Sequence, residues 1–149
     1  MPDVLTEFVN RLHREHLKPL GFKKQNRTFE RNTGTYDERF NVQGSNWSTA
    51  VEKRFYINVG LRFVAYQDDK SSVGYFAGIN HWGTRIEWLV PGAPKQWDVN
   101  ADTDLDALLS EVKPLIDAAR VQLAERQSDF VREYQERKKR VAERRPAEV

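Results

Sequence analysis

The chain has 149 residues, no cysteine, three histidines, a charged fraction of 31% and a formal net charge of +2. That length fits one domain of ordinary size, long enough to bury a core without staples. The absence of cysteine excludes disulfide scaffolds, thiolate zinc sites, iron–sulfur clusters and cysteine nucleophiles together.

The charge is unevenly placed. From Arg120 onward there are nine Lys/Arg and six Asp/Glu, a balance of +3, which leaves 15 basic and 16 acidic residues, or −1, for the rest. Asp3, Glu7, Arg11 and Arg14 interrupt the apolar run of roughly 7–15 residues that a secretory signal needs. The longest stretch without Asp, Glu, Lys or Arg, Ser71 to Thr84, has 14 residues, short of the about 20 of a membrane helix. The expected compartment is the cytoplasm.

Leu5, Phe8, Val9, Leu12 and His16 recur at helical spacing, with Asp3 placed to cap the helix and Pro19 and Gly21 to end it. From Phe22 to about Val90 the period becomes two. Thr28–Arg31 and Tyr36–Gln43 read as strands paired across the turn-forming Asn32-Thr33-Gly34-Thr35, with Glu38 interrupting the apolar face of the second. Arg54–Tyr66 is the clearest strand, with Phe55, Ile57, Val59, Leu61 and Phe63 on one side and Tyr56, Asn58, Gly60 and Arg62 on the other. Gln67–Trp82 reads as a long loop with a short extra strand around Tyr75–Ile79. Thr84–Val90 reads as a further strand with Ile86, Trp88 and Val90 inward, stopped by Pro91-Gly92.

The helical period returns at Leu105, Leu108, Leu109, Val112, Leu115, Ile116, Ala119 and Leu123, capped by Asp102, Thr103 or Asp104. Pro114 inside this stripe predicts two consecutive helices or one bent helix. Beyond about Gln127 the stripe thins to Phe130, Val131, Tyr134 and Val141 and charges dominate, with favourable spacing in Glu133–Arg137 and Glu136–Arg140.

These patterns predict an α+β fold. An antiparallel sheet of four or five strands carries N-terminal and C-terminal helices on one face, with Phe8, Leu12, Phe40, Val42, Ile57, Val59, Leu61, Ile86, Trp88, Leu108, Leu109, Val112 and Ile116 inward. Residues 1–126 form the domain, and residues 127–149 an extended charged helical tail that frays at its end.

The run Leu17-Lys18-Pro19-Leu20-Gly21-Phe22-Lys23-Lys24 leads to Thr28-Phe29-Glu30-Arg31. Then come Phe40-Asn41-Val42-Gln43-Gly44-Ser45, Phe55-Tyr56-Ile57-Asn58-Val59-Gly60 and His81-Trp82-Gly83-Thr84-Arg85-Ile86. In this order, over roughly Leu5 to Leu123, the chain resembles the bacterial domain-of-unknown-function family 4304. The resemblance implies a small α+β domain and brings no established activity or catalytic residues. It also implies an immunity or antitoxin role, through members that look like neighbours of toxin-type genes.

The candidate binding surface is Asn41, Gln43, Asn58, Arg62, His81, Arg85 and Glu87. Most of these belong to the polar sheet face, where amides and arginines suit anionic groups or a peptide and Gly60 leaves room for close approach. The bland alternative is that this face is merely the wet side of a one-sided sheet, or is covered by a loop. His81 and Arg85 suit anion binding or acid–base work, or equally a backbone hydrogen bond and a cross-sheet ion pair. His13 and His16 are three apart, but with one further histidine and no cysteine the pair reads as helix packing, and no metal or cofactor is expected. Trp47, Trp88, Trp97 and Tyr66 would enrich a binding surface if exposed.

No phosphate-binding loop, dinucleotide fingerprint, zinc-protease motif or nucleophile elbow is present. Three functions remain. The first is a non-enzymatic module that binds another protein through the polar face. The second is a nucleic-acid-associated protein using Arg137-Lys138-Lys139-Arg140 and Arg144-Arg145, with helix-to-helix oligomerisation through Phe130, Val131 and Tyr134 as another use of the same segment. The third is a small hydrolase or transferase centred on His81 and Arg85.

Overall fold

Helix α1 (Val4–Leu12) begins where the Asp3 carboxylate accepts the Thr6 amide at 2.8 Å, satisfying a free donor of the first turn. Leu5, Phe8, Val9 and Leu12 are buried along one side. The structure is a computed structural model that describes residues 3–46, 48–69, 73–74 and 80–144. After α1 the helix widens to a π turn over His13–Leu17 and tightens to a 3-10 turn over Lys18–Leu20. Gly21 stops it at φ 97°, a conformation strained for any residue with a Cβ.

Strands β1 (Lys23–Gln25), β2 (Thr28–Asn32), β3 (Tyr36–Gly44) and β4 (Glu52–Phe63) form an antiparallel meander. Between β2 and β3, Asn32 Oδ1 accepts the Gly34 amide at 2.9 Å and Gly34 takes φ 98°, as its turn chemistry predicts. The clearest strand ends at Phe63, and Val64–Tyr66 turns into a 3-10 helix. Next come β5 (Val73–Gly74), β6 (Trp82–Arg85) and β7 (Trp97–Asn100). Both β6 and β7 pair antiparallel with the free edge of β4, over residues 58–61 and 52–55, while β5 pairs parallel with β6.

The described residues thus hold seven strands in an α+β arrangement, more than the four or five that alternation marks. The additional ones, β1, β5 and β7, have only three, two and four residues, too few for a period of two to stand out. The segment Tyr75–Ile79 lies outside the described residues.

Phe29, Phe40, Val42, Phe55, Ile57, Val59, Leu61 and Phe63 form the inner face and are all buried. Phe8 of α1 stacks on Phe55 at 5.1 Å between ring centroids. Helix α3 (Leu105–Arg144) covers the rest. Its N-cap is Asp104, whose carboxylate accepts the Ala107 amide at 3.2 Å. It runs through Pro114 as one element.

Two expectations need correction. The segment 86–90 is not a strand: the chain leaves the sheet after Arg85 and forms the single helical turn α2 (Ile86–Leu89). β7 holds residues 52–55 of β4's edge, so β6 could lengthen by only the two residues opposite Ile57 and Tyr56. Ile86 and Leu89, three apart, point inward, while Trp88 is 65% exposed and leaves the inward set.

The second concerns the tail. The thinning stripe suggested a boundary after residue 126, yet Phe130 and Tyr134 are among the most buried side chains, at 1% and 0%. Phe130 stacks on Trp82 at 3.8 Å, and Trp82 Nε1 donates to Glu133 at 3.1 Å. Glu133 is thereby drawn to the body rather than to Arg137. The folded body reaches at least Tyr134, and of the residues named for helix-to-helix association Phe130 and Tyr134 are buried inside the chain while Val131 is half-buried.

Glu38, the charge on the inner face of β3, is 2% exposed. Arg31 Nη1 from β2 and Arg120 Nε from α3 both donate to its Oε1 at 3.1 Å. No helix among the described residues is long and apolar enough to cross a membrane.

Candidate functional site

Period two along β3 and β4 sends Asn41, Gln43, Tyr56, Asn58, Gly60 and Arg62 to the face opposite the helices. The register puts Thr28, Asn41, Asn58 and Arg85 in one row across four strands. Their side chains link up. Asn41 Nδ2 donates to Thr28 Oγ1 at 3.0 Å, and Asn58 Nδ2 donates to Asn41 Oδ1 at 3.1 Å and Gln43 Oε1 at 2.9 Å. The middle of this face is closed to solvent, with Asn58 3% and Arg85 7% exposed and Gly60 and Gly83 buried beside them.

At the end of the row the face opens. The Arg85 guanidinium sits 4.0 Å from the centre of the Tyr56 ring, a cation–π contact that fixes both. Beyond them lies a cleft of about 400 Å³ lined by Gln43, Tyr56, Arg85, Glu87, Trp88 and Lys95, among others. Exposed Trp88 and half-buried Glu87 come from α2, and Lys95 from the connection to β7. Glu87 Oε2 is buried there with no hydrogen-bond partner among the described residues.

Of the seven candidate residues, Gln43, Arg85 and Glu87 line this cleft, and Asn41 and Asn58 form the ladder behind it. Arg62 and His81 lie elsewhere. Arg62 stands opposite Asp37 in the register and donates to the Gln67 carbonyl. Tyr56 was readable from alternation as a polar-face residue. Lys95 was not, because its position depends on where β7 inserts.

His81 is fully buried on the helix side, stacked against Phe63 and Tyr134 at 5.7 and 5.1 Å. The Phe63 amide donates to its Nδ1 at 2.8 Å, so the ring proton sits on Nε2, 2.9 Å from the Asp69 carbonyl oxygen. Both nitrogens are engaged. His81 and Arg85 occupy opposite sides of the sheet and do not converge on one reacting atom, which removes the pair the hydrolase reading requires. His13 and His16 also diverge. His13 Nε2 meets the Phe22 carbonyl at 2.9 Å and His16 Nε2 meets Asp117 at 2.8 Å. Trp97 stacks on Phe55 at 5.3 Å and donates to Glu111 at 3.2 Å, while Trp47 lies outside the described residues.

Beside His81, the Tyr134 hydroxyl donates to Asp69, and Lys138 pairs with the same carboxylate at 2.5 Å. Burial, then the bond to Asp69, pushes the Tyr134 phenol well above its ordinary value of 10.0; burial, then the charge of Glu38, raises Tyr36. A raised tyrosine keeps its proton in the fold after the unfolded chain has lost it. Its contribution is therefore complete below about pH 10 and is lost as pH climbs through the folded value. Unfolding free energies from denaturant titrations at pH 8 to 11.5 should fall above pH 10, by at most about 1.4 kcal/mol per pH unit for each tyrosine. The fall should be shallower in Tyr134→Phe; identical slopes would refute this account.

Residues 13–126 match the family model described as "Domain of unknown function (DUF4304)". The matched stretch takes in the sheet and the first half of α3 and stops short of Phe130 and Tyr134. No curated protein and no solved structure matches the chain. With well over half of its residues covered, including every strand and the row from Thr28 to Arg85, the chain belongs to the DUF4304 family.

Proposed function

We propose that this domain is a non-enzymatic protein-binding module and that its partner seats in the cleft at Trp88. The carrying observation is a tryptophan left 65% exposed beside an arginine held on a tyrosine ring. Trp, Tyr and Arg are the side chains that dominate interface energetics, since each offers a large rigid contact area with a polar handle. Gln43, Glu87 and Lys95 supply a polar rim, and the buried Glu87 Oε2 is an acceptor waiting for a donor. An immunity or antitoxin-like role is the finer form of this reading, in which the partner is a toxin. Its support is the family resemblance.

The test is affinity capture from the source cells with wild type, Trp88→Ala and Lys95→Glu. Wild type should retain one stoichiometric protein. Trp88→Ala should bind it at least tenfold more weakly, about 1.4 kcal/mol or more, without loss of thermal stability. No retained protein, or equal retention by Trp88→Ala, would overturn the proposal.

A further inference from the structure

The same polar face carries, near β1, a charge that the fold leaves unspent. Register places Lys23, Glu30, Arg39, Gly60 and Gly83 in one row across β1, β2, β3, β4 and β6. Lys23, Glu30 and Arg39, with Lys24, Gln25 and Thr28, line a cavity of about 360 Å³. That size lies within the roughly 300–1,000 Å³ range of small-molecule sites.

Arg39 is 8% exposed. Its one ion pair among the described residues is with Glu30, 3.4 Å from the nearer guanidinium nitrogen. That is too long for a strong charge-assisted bond, which lies near 2.7–2.9 Å. Its Nε is buried with no hydrogen-bond partner among the described residues. A guanidinium offers five donors and cannot shed its charge as other cations do, so burying it with donors unmet is costly. Burial holds Arg39 below the usual arginine value; Glu30 and Asp37 pull it back up, and Arg62 opposes them. Among the described residues, three cations and one carboxylate line this cavity.

We infer that this cavity is a binding site for an oxyanion, the phosphate or carboxylate group of a small molecule, in which Arg39 donates through its free Nε and Lys23 and Lys24 supply positive charge. Phosphate and carboxylate each present a pair of oxygens that the planar guanidinium fork matches. Where Arg39 now holds Glu30 loosely, an incoming anion takes the unmet Nε donor. This site is separate from the Trp88 cleft and does not depend on the proposal made for it.

The experiment titrates wild type with inorganic phosphate, and separately with acetate, at constant ionic strength. It follows the Nε–Hε resonance of Arg39 by NMR together with the thermal midpoint. A saturable shift of that resonance with a matching rise in midpoint is expected. Phosphate acting alone identifies a phosphate ligand, and acetate acting as well admits a carboxylate. Lys23→Glu, at an exposed position, should weaken binding at least fivefold, and Arg39→Gln should abolish it. Trp88→Ala should bind the anion as wild type does. No saturable shift with either anion, or unaltered binding by Lys23→Glu, overturns the inference.

Discussion

A chain ending at Gln127 is expected to be largely unfolded at ambient temperature, although the missing part reads as a charged tail. Truncation removes Phe130 and Tyr134, which fill space against Trp82, Phe63, Tyr66 and His81. It also removes the Trp82–Glu133 bond and the contacts of Tyr134 and Lys138 to the Asp69 carboxylate. Deleting one buried aromatic ring costs about 3–5 kcal/mol, against a total stability of about 5–15 kcal/mol for a domain. Phe130→Ala alone should lose about 3–5 kcal/mol and lower the thermal midpoint by roughly 10 °C. Chemical denaturation followed by circular dichroism measures both variants. A Phe130→Ala protein within about 0.5 kcal/mol of wild type would show that the ring is not a core residue.

This has a consequence for the nucleic-acid reading. Truncation would abolish binding by unfolding the domain, whatever the tail contacts. Arg137→Glu, Lys139→Glu and Arg140→Glu, all at exposed positions, change the charge and should leave the fold intact, since surface substitutions usually stay within about 0.5 kcal/mol. Salt-sensitive binding that survives those reversals would exclude these side chains as its source.

Glu38→Gln is expected to destabilise the domain by about 3 kcal/mol, the low end of the cost of breaking a buried ion pair. Glu38 is almost wholly enclosed, and one of its oxygens collects donors from β2 and α3. Removing its charge leaves two guanidinium groups facing a neutral amide. Both arginines keep partial access to water, with side chains 36% and 22% exposed, which holds the cost at that lower end. Arg120→Gln should cost less, because Arg31 still answers Glu38. A double-mutant cycle should give a coupling of about 1 kcal/mol or more. Strictly additive losses would mean that the β3–α3 link is not energetic.

Much of the fold was readable from residue periodicity. The alternation from Phe55 to Phe63 marks β4 and its two faces, and the spacing of Leu5, Phe8, Val9 and Leu12 marks α1. The same alternation places Asn41, Gln43 and Asn58 on one face, so the ladder's members were legible even though its hydrogen bonds were not. Where two periods fit the same residues, periodicity does not choose between them. Ile86, Trp88 and Val90 satisfy a period of two, while Ile86 and Leu89 satisfy a helical turn. The competition of β6 and β7 for one edge of β4 decided between them, and that competition turned Trp88 outward.

The sequence by itself determined the α+β class, the amphipathic faces and the elements long enough to show a period, because periodicity is a local property of the chain. Only the tertiary structure decided which charges are enclosed and which aromatic rings are left out. Glu38 is buried because Arg120, 82 residues away, reaches it, and Phe130 is buried because Trp82 stacks on it. A charged, sparsely apolar helix carries no local mark of such partners. Its burial is set by what the fold brings opposite to it, and so a segment that reads as a tail closes the core.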